Sequence, residues 1–362
     1  MSVSARLRGV ALVLGFALTL TSCAAIPEAE VVDEAAPTEQ TTQERVVEPV
    51  ADNYVILYSG RNESLVQPLI DSFTEQTGIA VDIRYAGSSE LAAQILEEGA
   101  DSPAAVFLSQ DAGALGALSL EGLFAELPAE ITDRVNPAFT SHDDSWVGIT
   151  GRARVVVYDS ETLSVEQLPN TADEIVGPQW SGKVGVAPGN ASFQSFVTAY
   201  RVMKGDSAAD QWVSGLNIND PQIFESNGAI LDAVNEGTLP IGLINHYYWE
   251  RVAFERGAEN LRAKLHFTEA GDPASIVNVT GMGLLDAQSF DLDALELIAF
   301  FVSDEAQQYF VEQTFEYPLV PTIDAPEGLP ALDDLAVADF DLSDLATLKE
   351  TQDLLRKYGL IL

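Results

Sequence analysis

From residue 55 onward, short apolar runs alternate with segments whose apolar residues recur at helical spacing, and this order limits the folds open to the chain. Residues 55–58 form an apolar run, and residues 63–77 carry apolar side chains at the spacing of an amphipathic helix. Residues 79–85 alternate like a strand, a second helical stripe follows, and residues 104–108 read as a buried strand. The order β-α-β-α-β predicts a sheet flanked by helices, so we assign the chain to the α/β class.

The same kind of pattern starts again near residue 153, without an internal sequence repeat. We predict further strands at residues 153–158, 184–186, 222–224, 241–244 and 276–285, and further helices at residues 193–203 and 208–216. Two α/β units with short crossovers predict two lobes separated by a cleft. Ligands of such sheets bind where the loops at the carboxyl ends of the strands converge.

The N-terminal segment has the features of an export signal. Arg6 and Arg8 precede an apolar run at residues 10–20, which is too short to span a bilayer comfortably. The sequence Leu-Thr-Ser then leads to Cys23, the only cysteine of the chain, and resembles a bacterial lipobox. We therefore predict a signal peptide over residues 1–22 and lipid attachment at Cys23, which anchors the protein to the cell membrane outside the cytoplasm. An ordinary signal peptide followed by a chance cysteine is the alternative.

Residues 23–52 are predicted to be a lipidated, acidic linker. They contain proline and many acidic residues but no aromatic residue, so they cannot bury enough apolar surface to fold. The whole chain has a formal net charge of −38 at pH 7. This charge argues against nucleic acid as a partner and against attraction to anionic lipid.

Several motifs along the body occur together in one known family. They are YSGRNE at residues 58–63, SQDAG at 109–113, GRARV at 151–155, ESNGA at 225–229, LINHYYW at 243–249 and EYPLVP at 316–321. Spread over the whole body in one order, they resemble the bacterial periplasmic ferric-iron-binding proteins of the type II periplasmic-binding-protein superfamily.

The resemblance implies a two-lobed type II fold with a hinge and an interlobe cleft. Lobe one would comprise residues 54–153 and 279–328, lobe two residues 154–278 and 329–362, and the crossovers would lie near Arg154 and Asn278. The resemblance also implies a function. A monomeric extracytoplasmic lipoprotein would capture ferric iron with a synergistic anion and deliver it to an ABC permease and its ATPase.

Tyr247 and Tyr248 are the predicted metal ligands. Ferric iron is a small, hard cation that prefers anionic oxygen, and an adjacent metal ion stabilises a phenolate although the pKa of free tyrosine is near 10. The pair follows the predicted strand at residues 241–244, and at a strand-to-helix turn two adjacent side chains can face one ion. Two aromatic residues packing near a core is the alternative for such a pair outside this motif.

Two tyrosines leave most of the coordination of ferric iron unfilled. Many members of the family place a histidine after the first strand and a glutamate after the third, where this chain has Asn62 and Gln110. Both side chains are neutral, so the resemblance implies that an anion such as carbonate, phosphate or citrate completes the coordination. By correspondence with the family, the anion site comprises Asn190, Ala191, Ser192, Asn227 and Asn245. Helix capping explains Asn190 and Ser192 equally well.

Arg61 and Arg152 lie in matched motifs at predicted edges of the cleft, where either could neutralise an anion; surface ion pairing is the alternative. A second function keeps the same fold and transport role but binds a phosphonate, thiamine, a polyamine or an organic anion. An enzyme is not predicted, because the chain has no Gly-x-Ser-x-Gly motif and its three histidines show no zinc-site spacing.

Overall fold

The computed structural model describes residues 51–335 and 340–362. The predicted signal peptide, Cys23 and nearly all of the predicted linker lie outside the described residues. Within the described ranges, no helix combines the length and the apolar character needed to cross a membrane.

Ten strands and twelve α-helices make up the described body, apart from short one-turn helices in the loops. The strands are β1 Tyr54–Ser59, β2 Ala80–Tyr85, β3 Val106–Ser109, β4 Val147–Asp159, β5 Val184–Val186, β6 Gln222–Ile223, β7 Ile241–Asn245, β8 Ala263–His266, β9 Val277–Leu284 and β10 Tyr317–Pro318. The helices are α1 Glu63–Thr77, α2 Ser88–Glu98, α3 Ala112–Leu120, α4 Ala129–Thr132, α5 Ala172–Ile175, α6 Ala191–Lys204, α7 Asp206–Ile218, α8 Asn227–Asn235, α9 His246–Arg256, α10 Leu292–Phe301, α11 Asp304–Tyr309 and α12 Leu348–Lys357.

Strand β4 belongs to two sheets. Its residues 147–153 pair with β9 and β10, and β9 continues through β3 and β1 to β2, which we name the first sheet. From Arg154 onward β4 pairs with β7 and β8, and β7 continues through β5 to β6, the second sheet. The chain therefore passes from one sheet to the other between Ala153 and Arg154.

Local sequence explains the first elements of the fold. Helix α1 buries Val66, Leu69, Ile70 and Phe73, which recur at helical spacing and form one apolar face. The helix ends at Gly78, whose φ of 79° is a left-handed conformation that glycine adopts without steric cost. Helix α1 therefore has the bounds that the sequence predicted.

The buried apolar residues form two clusters. Phe73, Phe107 and Trp146 are fully buried around the first sheet. Around the second sheet, Phe196 and Trp212 pack edge to face with ring centroids 5.2 Å apart. The larger cluster continues onto one face of the second sheet through Val155, Val157 and Ile244, and the smaller cluster covers the opposite face.

The C-terminal segment touches both halves of the body. The turn at Leu342–Ala346 lies on α3, where Trp146 Nε1 donates to Ser343 Oγ at 3.2 Å. Helix α12 instead packs on α6, and the buried hydroxyls of Thr198 and Thr351 hydrogen bond across 2.8 Å. The predicted division gives this whole segment, residues 329–362, to lobe two, and that assignment stays a prediction.

Candidate functional site

Three helices begin close together at the carboxyl ends of the second-sheet strands. Helix α6 follows β5, α8 follows β6, and α9 follows β7. Asn227 Nδ2, in the first turn of α8, lies 3.2 Å from Ser192 Oγ in the first turn of α6. Exposed amides and the positive ends of helix dipoles make such a convergence favourable for an anion.

The polar side chains at these helix starts share one arginine. Arg154 Nη1 donates to Ser192 Oγ at 3.1 Å, to Asn227 Oδ1 at 3.4 Å and to Asn245 Oδ1 at 3.5 Å. Its Nη2 donates to the carbonyl of Leu243 at 2.9 Å, and its Nε has no partner among the described residues. Arg154 is 2% exposed, so a single buried cation holds three of the five predicted anion-site residues.

Asn190 completes this network as the cap of α6. Its Oδ1 accepts from the backbone N–H of Ser192 at 3.0 Å and from Ser192 Oγ at 2.6 Å. The capping interpretation of Asn190 is therefore correct, and capping leaves its amide group beside Asn227. Ala191 is the first residue of α6 and is exposed.

Tyr247 and Tyr248 occupy the first turn of α9. Their rings stack with centroids 4.5 Å apart and planes inclined by 28°. Both side chains are partly buried, which leaves part of each ring accessible. The strand-to-helix turn that the sequence predicted thus brings two adjacent phenols face to face.

Burial and neighbouring charges act in opposite directions on these groups. Burial raises the pKa of Tyr247, the adjacent Tyr248 adds to the increase, and the charge of Arg152 opposes it. Burial lowers the pKa of Arg154 to about 9, so its guanidinium stays protonated at pH 7. The Tyr247 phenol therefore needs a strong local cation before it ionises at neutral pH.

Arg61 and Arg152 are buried beside the first sheet. Arg61 Nη2 binds both carboxylate oxygens of Glu316 at 3.0 Å, and Thr150 Oγ1 donates to the same carboxylate at 2.9 Å. Arg152 donates to the carbonyls of Gln110 and Val279. The alternative of surface ion pairing is wrong for both arginines, because they are 4% and 3% exposed.

Asn62 and Gln110 stand at the ends of two neighbouring strands of the first sheet. Asn62 precedes α1 and is exposed, and its side chain makes no capping hydrogen bond. Gln110 is partly buried, and its backbone N–H donates to Ser88 Oγ at 2.8 Å. Arg152 links this edge to the tyrosines, because it contacts the Gln110 carbonyl and its charge acts on Tyr247.

Comparison with known proteins places the chain in a family. The sequence profile of the bacterial extracellular solute-binding proteins matches residues 101–341. The chain belongs to this family.

The similar solute-binding proteins cover most of the chain. The major ferric iron-binding protein of Neisseria meningitidis serogroup B is 33% identical over 82% of this chain and 86% of its own length. The Fe(3+)-binding periplasmic protein of Serratia marcescens is 31% identical over 86% of this chain and 92% of its own. Among solved structures, iron-bound HitA from Pseudomonas aeruginosa is 32% identical and has a TM-score of 0.77, covering 84% of this chain and 99% of that one. These relatives are binding proteins, and the predicted family and two-lobed α/β fold class are confirmed.

Sequence reasoning missed the central position of Arg154 in this solute-binding protein and used the residue only to mark a crossover. Arg152 and Arg154 are separated by one residue in β4, so alternation places them on the same face of the strand. The spacing of these two arginines was therefore the sequence signal that could have pointed to Arg154. The partnership of Arg61 with Glu316 left no comparable signal, because 255 residues separate the two.

The donor chemistry of the site differs from that of common metal centres. Within residues 51–335 and 340–362, no group of three or more histidine, cysteine or acidic side chains is arranged to hold a metal ion. The site instead offers two phenols, several amides and buried guanidinium groups. This set suits one hard cation that arrives together with an anion.

Proposed function

We propose that this protein captures ferric iron outside the cytoplasm and delivers it to an ABC importer. The observation that carries the proposal is the stacked pair of Tyr247 and Tyr248 at the start of α9. Two phenolates provide hard, anionic oxygen, and ferric iron has the charge needed to ionise them. The names of relatives that are 31–33% identical support the same cargo.

An anion completes the coordination in this proposal. Two phenolates cancel only part of the ferric charge, and the neutral amides of Asn62 and Gln110 cannot cancel the rest. The Arg154 network offers a positive, buried place for carbonate, phosphate or citrate beside Asn190, Ala191, Ser192, Asn227 and Asn245. A solved structure of a Trichodesmium protein, 27% identical with a TM-score of 0.71 over 84% of this chain and 99% of that one, holds iron and citrate.

The two sheets would move as two lobes in this mechanism. In this proposal residues 54–153 and 279–328 would form one lobe, residues 154–278 and 329–362 would form the other, and the hinge would lie near Arg154 and Asn278. Because β4 runs through both sheets, bending near Ala153 would open or close the space between them. The protein would act as a monomer, anchored to the membrane through Cys23 and recognised by a permease with its ATPase.

A titration with ferric citrate tests the cargo. Tyrosinate-to-iron charge transfer produces a visible absorption band, and binding of a colourless organic ligand does not. Tyr247→Phe and Tyr248→Phe should each abolish the band or weaken it strongly, since each removes one phenolate oxygen and keeps the ring. Tyr358→Phe is the control, because that phenol contacts Asp210 beside α12 and lies outside the site.

Repeating the titration in carbonate and phosphate tests the anion. The wild type should bind iron with an affinity that depends on the anion and weakens as pH falls, because protons compete for the phenolates. A wild type that shows no band with any of the three anions would remove the ferric assignment. Unchanged binding by both site variants would do the same.

A further inference from the structure

His246 joins three parts of the molecule through one buried ring. Its Nδ1 accepts from the backbone N–H of Ala153 at 3.1 Å, and its Nε2 hydrogen bonds with the carbonyl of Phe315 at 2.9 Å. The side chain is completely inaccessible to solvent. Since the backbone amide can only donate and the carbonyl can only accept, the ring must be neutral, with its proton on Nε2.

The two backbone partners of His246 lie in different parts of the fold. Ala153 is the last residue of β4 that pairs in the first sheet, and Arg154 is the first that pairs in the second. Phe315 precedes Glu316, which holds Arg61 in a buried ion pair. A histidine at the start of α9 is therefore tied to the crossover strand and to a segment of the first sheet's half.

The Phe315 segment is held by α9 a second time. The ring of Phe315 packs against Phe254, near the end of α9, with centroids 5.3 Å apart. The backbone of Phe315 has a φ of 58°, an unusual conformation for an aromatic residue. The hydrogen bond from His246 to the Phe315 carbonyl supports that conformation.

We infer that His246 is a positioning residue for the two tyrosines. It fixes the first turn of α9 against β4, and Tyr247 and Tyr248 follow it directly in that turn. This inference rests on the proposed function. It adds that the geometry of the phenol pair depends on one neutral imidazole bridging two backbone groups, and that His246 itself does not bind the metal, because both of its ring nitrogens are already engaged.

Substitution separates this role from general stability. His246→Phe removes both hydrogen bonds and keeps an aromatic ring, His246→Asn can retain the acceptor for Ala153, and His246→Gln can retain the donor to Phe315. Thr351→Val is the matched control, since it removes a buried hydrogen bond between α12 and α6 away from the site. The full chain is titrated with ferric citrate, and the position of the visible band, the rate of iron loss to excess EDTA and the apo-protein Tm are measured.

His246→Phe should shift the band and accelerate iron loss by about 10-fold or more, the usual effect of removing a group that orients a metal ligand. The Asn and Gln variants should each lose iron more slowly than the Phe variant but faster than wild type. If the Phe variant does not fold, these two variants still test the inference. Thr351→Val should lower the Tm while leaving the band and the rate unchanged. A wild-type band and rate in all three His246 variants would overturn the inference alone, and a wild type without any band would overturn the proposed function as well.

Discussion

Arg154 Nη1 lies 3.1 Å from Ser192 Oγ, and this contact joins the strand shared by both sheets to the first turn of α6. The guanidinium is buried and also reaches Asn227 and Asn245. A buried cation that holds three predicted anion-site residues in place is also well situated to attract an anion to the same site.

The first prediction concerns the positive charge of Arg154. Arg154→Gln should weaken ferric binding by at least about 10-fold in phosphate, because a hydrogen bond to a charged group contributes about 1.5–3 kcal/mol. It should also reduce the difference between phosphate, carbonate and citrate. Isothermal titration in each anion measures both effects. The control is Arg251→Gln on the exposed face of α9, which removes one positive charge away from the network and should behave as wild type. An Arg154→Gln variant whose iron binding depends on the anion as strongly as that of wild type would contradict the prediction.

Closure of the two lobes is the second prediction. Ferric citrate should reduce the radius of gyration of the protein in solution scattering, because the ligand would draw donors from both sides of the shared strand toward one ion. The double variant Tyr247→Phe, Tyr248→Phe should show no such reduction. An identical scattering curve for free and saturated wild type would exclude a closing hinge but not binding itself.

The third prediction concerns pH and the ion pair of Asp159 with Arg262. Two hydrogen bonds of 2.6 Å from Arg262 hold the pKa of Asp159 at about 2, against 3.8 ordinarily. A carboxylate with a lowered pKa stabilises the fold above the unfolded pKa, and this contribution is lost as pH falls from about 4 to 2.

Asp159→Asn should therefore be less stable than wild type by about 2 kcal/mol at pH 6. The difference between the two proteins in urea unfolding should shrink as pH falls from about 4 to 2. A difference that stays constant across this range would show that the ion pair does not contribute in this way.

Close packing of the C-terminal turn on α3 gives the fourth prediction. A Cβ atom at Gly116 would lie 2.4 Å from the backbone carbonyl of Ser343, which cannot move as a flexible side chain does. Gly116→Ala should destabilise the protein by about 1–3 kcal/mol. Gly215→Ala in α7 is the matched control, because its Cβ would meet Val176 at an ordinary 3.4 Å, and alanine there should be neutral or stabilising. Thermal unfolding distinguishes the two variants, and equal Tm values would contradict the packing argument.

Membrane attachment is the fifth prediction, and it concerns Cys23, which lies outside the described residues. Cys23→Ala should leave a protein that no longer enters the detergent phase in phase partitioning, because no acceptor for the lipid remains. The binding of ferric citrate should be unchanged, which separates anchoring from capture. Retention of the variant in the detergent phase would require a different attachment.

Much of the fold was predictable because its elements follow local rules. Helix α1 has an apolar face and a glycine stop, and the predicted strand at residues 241–244 became Ile241–Asn245. Strand β4 was harder to predict. Only residues 153–158 were expected, whereas the strand runs over Val147–Asp159. Gly148 and Gly151 weaken the strand pattern of the first half, and pairing with β9 and β10 compensates.

The candidate site was also predictable only in part. Tyr247 and Tyr248 are adjacent in sequence, so their closeness required only the turn at the end of β7. The polar side chains of the Arg154 network come from β4 and three separate helix starts. Their meeting depends on strand order in the second sheet, which hydrophobic periodicity does not specify. Burial of a charged residue inside an apolar strand is likewise decided by long-range packing.

The position of the last residues has a consequence for when this chain can fold. Leu342 and Leu345 belong to the larger buried cluster, and the fully buried Leu355 belongs to the smaller one. Both clusters therefore remain incomplete in a folding chain until these leucines have packed, so docking of the C-terminal segment is a late step in the formation of both.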